Sequence, residues 1–174
     1  MANSGSEPYI AHYPGNPNRT RVTDVLIVAH TPSSNTKEMA EAVLRGTRND
    51  AIGPLQTRLL MPAAAAAADV LDCRAIIIGT TENFGYMAGL MKDFFERIYY
   101  PCLEQTEALP YALYVRAGND GCGAANSVER ITTGLKWKPV QDPLICQGGY
   151  QPSFLTQCEE LGMTIAAGVE AGIF

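Results

Sequence analysis

Apolar positions along the chain follow two patterns, and the patterns alternate. Residues 24–29 (DVLIVA) form a near-continuous apolar run, as expected of a strand buried on both faces. A helix is predicted over 36–46, with Asn35 as its cap, Glu38 reaching back and Gly46 closing it. Residues 55–61 make a second short strand. Pro62 then stands where a helix would begin, and the alanines of 63–68 extend that helix through Val70 and Leu71. Residues 75–79 (AIIIG) are the most strand-like segment. After the loop TTENFGYM, the residues Met87, Leu90, Met91, Phe94, Phe95 and Ile98 recur at the i, i+3, i+4, i+7 spacing of one buried helix face, which Pro101 ends. A fourth strand at 111–115 leads into the loop RAGNDGCGA. Ala124, Val128, Ile131 and Leu135 mark a fourth helix. A fifth strand at 144–146 precedes a last helix from 153 to about 169.

Five strand-helix units in series predict a three-layer α/β/α sandwich around a five-stranded parallel sheet. Right-handed crossovers favour the order 2-1-3-4-5. Ligands of such sheets bind beyond the carboxyl ends of the strands, where the strand order reverses between strands 1 and 3. The unusual loops after strands 1, 3 and 4 all fall at that edge.

Composition narrows the classes. The 174 residues suit one domain over 22–174, preceded by an arm over 1–21 rich in Asn, Pro, Ser and Gly. Tyr9, Ile10 and Tyr13 could dock that arm on the domain or on a second subunit. A net charge of −5 gives nucleic acid no basic patch to meet. No apolar run reaches the roughly 20 residues of a membrane span, and no basic-then-apolar N-terminal stretch predicts a secretory signal. The cysteines Cys73, Cys102, Cys122, Cys146 and Cys158 are dispersed and odd in number, which suits buried thiols in a reducing cytoplasm. His12 and His30 have no metal-ligand spacing.

The turn at 31–36 carries the most chemistry. Thr31, Ser33, Ser34, Asn35 and Thr36 place hydroxyls and backbone N–H groups at a helix N-terminus, where the helix dipole favours an anion. No Lys or Arg lies in the turn. It is suited to one phosphate monoester held by neutral donors, not to a nucleoside triphosphate.

These loops resemble those of the flavodoxin-like, FMN-binding family over most of 24–172. The phosphate loop of that family often reads S/T-x-T-G-N-T, and 31–36 (TPSSNT) matches it with Ser34 in place of Gly. Serine is harmless there in a helical conformation and strained at positive φ. The segment GTTENFGYMAGLMKDFFER is similar to the third-strand loop of quinone-reductase-like members. Gly79, Phe84, Gly85, Met87, Met91 and Lys92 fall on the pattern, and Thr81 stands where Pro is usual. The loop at 117–123 is similar in placement to the third flavin loop.

The resemblance implies FMN as cofactor, with chemistry on the flavin and no catalytic side chain or metal. Thr31, Ser33, Ser34, Asn35 and Thr36 would take the phosphate. Thr80, Thr81, Glu82, Asn83, Phe84, Gly85 and Tyr86 would meet the ring, where Gly85 lets the backbone approach or flip. Ala117, Gly118, Asn119, Asp120, Gly121 and Gly123 would wrap the pyrimidine edge, with Arg116 close to them. Three functions stay open. One is an NAD(P)H-dependent oxidoreductase passing electrons to a quinone, a free flavin or a similar small acceptor. Reductase-like members commonly complete the site as homo-oligomers, and Tyr99-Tyr100 would suit such association. The second is a flavodoxin-type carrier working between redox partner proteins; the single acid of the 80–91 loop, Glu82, favours the enzyme over this strongly acidic class. The third is a flavin-free interaction domain.

Overall fold

The computed structural model describes residues 22–174; the arm expected over 1–21 lies outside the described residues. The strands are β1 (Thr23–Ala29), β2 (Thr57–Leu60), β3 (Cys73–Asn83), β4 (Tyr86–Met87), β5 (Pro110–Ala117), β6 (Lys138–Pro139) and β7 (Leu144–Gln147). The helices are α1 (Ser34–Gly46), α2 (Ala67–Asp72), α3 (Gly89–Cys102), α4 (Cys122–Gly134) and α5 (Ser153–Glu170).

The sheet runs β2-β1-β3-β5, with β6 and β7 both paired in parallel to the far side of β5. The expected 2-1-3-4-5 order is therefore present, and its fifth lane is split in two. Pro139 and Pro143 flank the break; proline has no N–H to donate to a ladder, and Val140 N–H makes the last contact, to Tyr111 O at 2.9 Å. The other addition is β4, which pairs antiparallel with the end of β3. The sheet thus has seven strands rather than five.

Side chains of β1 alternate between two apolar layers, as a strand buried on both faces requires. Val25, Ile27 and Ala29 pack with Met39 and Val43 of α1 and Leu161 and Ile165 of α5. Leu26 and Val28 face Met91, Phe94, Phe95 and Ile98 of α3 and Val128 of α4. All of these are buried, and so are Cys73, Cys102, Cys146 and Cys158, whereas Cys122 is exposed.

Three local expectations need correction. The alanine segment is not helical from Pro62; α2 begins only at Ala67. Arg97 on α3 donates to Pro62 O and Ala65 O, both at 2.7 Å, and holds those carbonyls out of a helical ladder. Asp69 then accepts from Ala66 N–H at 2.8 Å and starts the helix one turn later. Pro101 does not end α3 but sits in its last turn, before Cys102. The loop after the third strand is not irregular: β3 continues to Asn83 and turns back as a hairpin. Among the described residues, no helix is long and apolar enough to cross a membrane.

Candidate cofactor site at the carboxyl edge of the sheet

Four loops meet at the carboxyl ends of β1, β3, β5 and β7. The first begins with His30, whose N–H donates to Gly79 O at 2.8 Å and so prolongs the β1–β3 pairing by one residue. Ser33, not Asn35, caps α1. Thr36 N–H donates to Ser33 Oγ at 3.3 Å, and Ser33 N–H donates to Thr36 Oγ1 at 3.0 Å. Serine wins because its extended backbone puts Oγ within reach of the third helical amide. Glu38, expected to reach back to a cap, instead accepts from Tyr150 Oη at 3.2 Å.

This box sorts the candidate donors. The Thr36 hydroxyl is buried and donates to Ser33 O at 2.9 Å, so it braces the turn from inside. Thr31 Oγ1 is directed at Met61 Sδ, 2.9 Å away. The N–H groups of Ser34 and Asn35 open the helix, where no carbonyl stands four residues back to receive them. Ser34 is helical and is not among the described residues with positive φ, so serine replaces glycine there without strain. Ser33→Ala should lower stability by about 1 kcal/mol through loss of the cap, measured by thermal denaturation.

The second loop is the β3–β4 hairpin. Glu82 pairs with Met87 and Asn83 with Tyr86. The two turn residues, Phe84 and Gly85, have φ of 54° and 69°, the sign a type I′ turn needs at both positions. Gly85 adopts this freely; Phe84 does so at a cost of about 1 kcal/mol. Phe84 is also fully exposed, and Tyr86 is exposed beside it. Thr80 is buried: its Oγ1 accepts from Ala88 N–H at 3.1 Å and donates to Thr81 O. It closes the hairpin base and presents no hydroxyl to a ligand. Thr81 Oγ1 lies 3.1 Å from His30 Nδ1 and donates to Asn83 Oδ1 at 3.3 Å. Partial burial lowers the pKa of His30 below its ordinary value.

The third loop follows β5. Gly118, Asn119 and Asp120 are exposed, whereas Ala117 and Gly121 are buried. Asp120 Oδ1 accepts from the N–H of Cys122, the first residue of α4, at 2.9 Å, and Gly121 stands between them as the N-cap. A Cβ on Gly123 would lie 2.0 Å from Gly85 O, so α4 touches the hairpin turn backbone to backbone. Met87 N–H donates to Ser127 Oγ at 3.2 Å, a second tie between the same two elements.

Arg116 faces no open site. It donates to the carbonyls of Ala117, Cys146 (3.1 Å) and Gly148 (2.6 Å), and its guanidinium lies 5.6 Å from the centre of the Phe154 ring. It clamps β5 to the exit of β7. The sequence reading missed the fourth loop, 148–152, which carries Tyr150 to α1. The rule that ligands gather beyond strand carboxyl ends would have flagged it.

The exposed donors and aromatics therefore come from three loops on one edge, and the turn that would meet an anion contains no cation. No protein-family model matches the chain. Over 74 residues it is 34% identical to a flavodoxin of Aquifex aeolicus (strain VF5), a match covering 42% of this chain and 39% of that relative. A flavodoxin structure from the domain Archaea superposes with a TM-score of 0.72 at 20% identity, over 84% of this chain and 99% of the other.

The chain has a flavodoxin-like fold.

Other solved structures sharing this flavodoxin-like fold include the two-electron reduced flavodoxin of Megasphaera elsdenii (TM-score 0.67, 17% identity, 82% and 98% covered). A flavodoxin, WrbA-like protein from Agrobacterium tumefaciens also matches (TM-score 0.70, 16% identity, 86% and 98% covered). The curated flavodoxin relative is matched over about two-fifths of its own length.

Proposed function

We propose that this flavodoxin-like protein binds FMN at the carboxyl edge of its sheet and carries electrons between redox partners. The observation that carries the reading is Phe84. A bulky aromatic held at positive φ and fully exposed is unfavourable twice over, and such outliers persist where a site uses them. A flat ring stacked on Phe84 or Tyr86 would remove that apolar surface from water.

The residues present fit the cofactor. The N–H groups of Ser34 and Asn35 would hold the phosphate at the positive end of α1, with Thr31 and Ser33 bordering it. Glu82, Asn83, Gly85 and Tyr86 would border the ring on one side, and Gly118, Asn119 and Asp120 on the other. Thr36, Thr80, Thr81, Ala117, Gly121 and Gly123 would act from behind, by fixing these loops. The bound flavin supplies the electron chemistry; the chain supplies position and electrostatics.

A second reading, an NAD(P)H-dependent oxidoreductase acting on quinones or flavins, is favoured by the F-G-Y-M hairpin. Turnover separates the two. Protein reconstituted with FMN and mixed with NADPH or NADH and benzoquinone should show no sustained nucleotide oxidation if it is a carrier. Many turnovers per flavin would establish the enzyme and displace the carrier reading.

A further inference from the structure

His30 is not assigned by the phosphate-loop pattern, and its spacing suggests no metal. Its geometry gives it another role. Thr81 Oγ1 donates to Asn83 Oδ1 at 3.3 Å and also lies 3.1 Å from His30 Nδ1. A threonine hydroxyl has one proton. With that proton directed at Asn83, Thr81 can only accept from His30, so the imidazole carries its hydrogen on Nδ1. The tautomer of a histidine is set in this way by its partner.

The hairpin that this chain of bonds reaches has two residue pairs, too few to hold a strained turn unaided. Its ties through Ala88, Met87 and Gly123 all lead to β3 or α4. Among the described residues, the hydrogen bond from His30 is the one that joins the hairpin to the loop after β1.

We propose that His30 is a positioning residue of the cofactor site: through Nδ1–H to Thr81 and on to Asn83, it locks the hairpin bearing Phe84 to the loop at the N-terminus of α1. This rests on the FMN reading for its consequence and on geometry alone for its tautomer. The lock matters because phosphate and ring would be gripped by different loops, and the distance between the grips must match one rigid ligand.

Asparagine and glutamine separate this role from mere space-filling. In H30N the side-chain amide nitrogen stands close to where Nδ1 was, and in H30Q it stands close to where Nε2 was. H30N should therefore bind FMN within about threefold of the wild type, while H30Q and T81V should each bind about tenfold more weakly, the loss of one useful hydrogen bond. Flavin fluorescence titration reads both. The second readout needs no flavin: nitrogen-15 NMR of the cofactor-free protein, where H12Q leaves His30 as the sole imidazole of the chain. The expected signal is protonated Nδ1 and bare Nε2. A proton on Nε2, or equal weakening in H30N and H30Q, overturns the assignment. If the wild type fails to bind FMN, the flavin reading fails separately, and the tautomer still decides the lock.

Discussion

Gly123→Ala should weaken FMN binding at least tenfold and lower stability by about 2 kcal/mol. The added Cβ would come within 2.0 Å of Gly85 O, and the carbon of that carbonyl and Gly85 Cα follow at 2.8 and 3.3 Å. All three are backbone atoms of a tight turn, so no side chain can swing aside to make room. Alanine at an early position of α4 gains less than about 1 kcal/mol of helix propensity over glycine. Inserting a methyl group into a filled space typically costs about 1–3 kcal/mol, and contact with rigid backbone puts this site at the upper end. Overpacking wins, and the structure relieves it by pushing the hairpin off α4. Phe84 and Tyr86 then move with the hairpin, which is why binding should fall as well as stability. Gly149→Ala is the control, since a Cβ there meets nothing within 4 Å and its φ is not positive. Thermal melts and flavin titrations of the two variants should diverge.

Gly46→Ala and Gly162→Ala should each lower stability by about 2 kcal/mol, through the seam between α1 and α5. A Cβ on Gly46 would lie 2.0 Å from Glu159 O, and one on Gly162 would lie 2.2 Å from Val43 O. Two helices thus approach backbone to backbone with each glycine facing the other's carbonyl. The same weighing applies: helix propensity favours alanine by about 1 kcal/mol, and the clash outweighs it. The double variant should cost less than the sum, because the first methyl already pries the helices apart. Chemical denaturation of the single and double variants checks this.

Much of this architecture was readable from apolar spacing because strand burial leaves a plain mark. The runs at 24–29 and 75–79 became β1 and β3, and the stripe from Met91 to Ile98 became the buried face of α3. What the spacing could not show depends on partners distant in the chain. Arg97 holds two carbonyls of the alanine segment from more than thirty residues away, and it overrides the local helix preference of alanine. The cap fell to Ser33 because hydroxyl-rich turns offer several candidates, and backbone angles choose among them. The hairpin at 82–87 was hidden because Phe-Gly is an uncommon pair for a turn that prefers Asn-Gly. Of the candidate site, the three loops were legible, but their division into exposed and buried members was not. Thr36, Thr80 and Thr81 look in sequence like further donors and are engaged inside the protein.

The exposed, strained Phe84 and the open amides at the start of α1 make one claim, that a phosphate-bearing flat ring belongs between these loops. Titrating the purified, cofactor-free protein into FMN tests it directly. The account predicts saturable one-to-one binding with the flavin fluorescence quenched, weaker binding of riboflavin, which lacks the phosphate, and loss of quenching in Phe84→Ala. Fluorescence unchanged with protein in excess, or equal affinity for FMN and riboflavin, would contradict it.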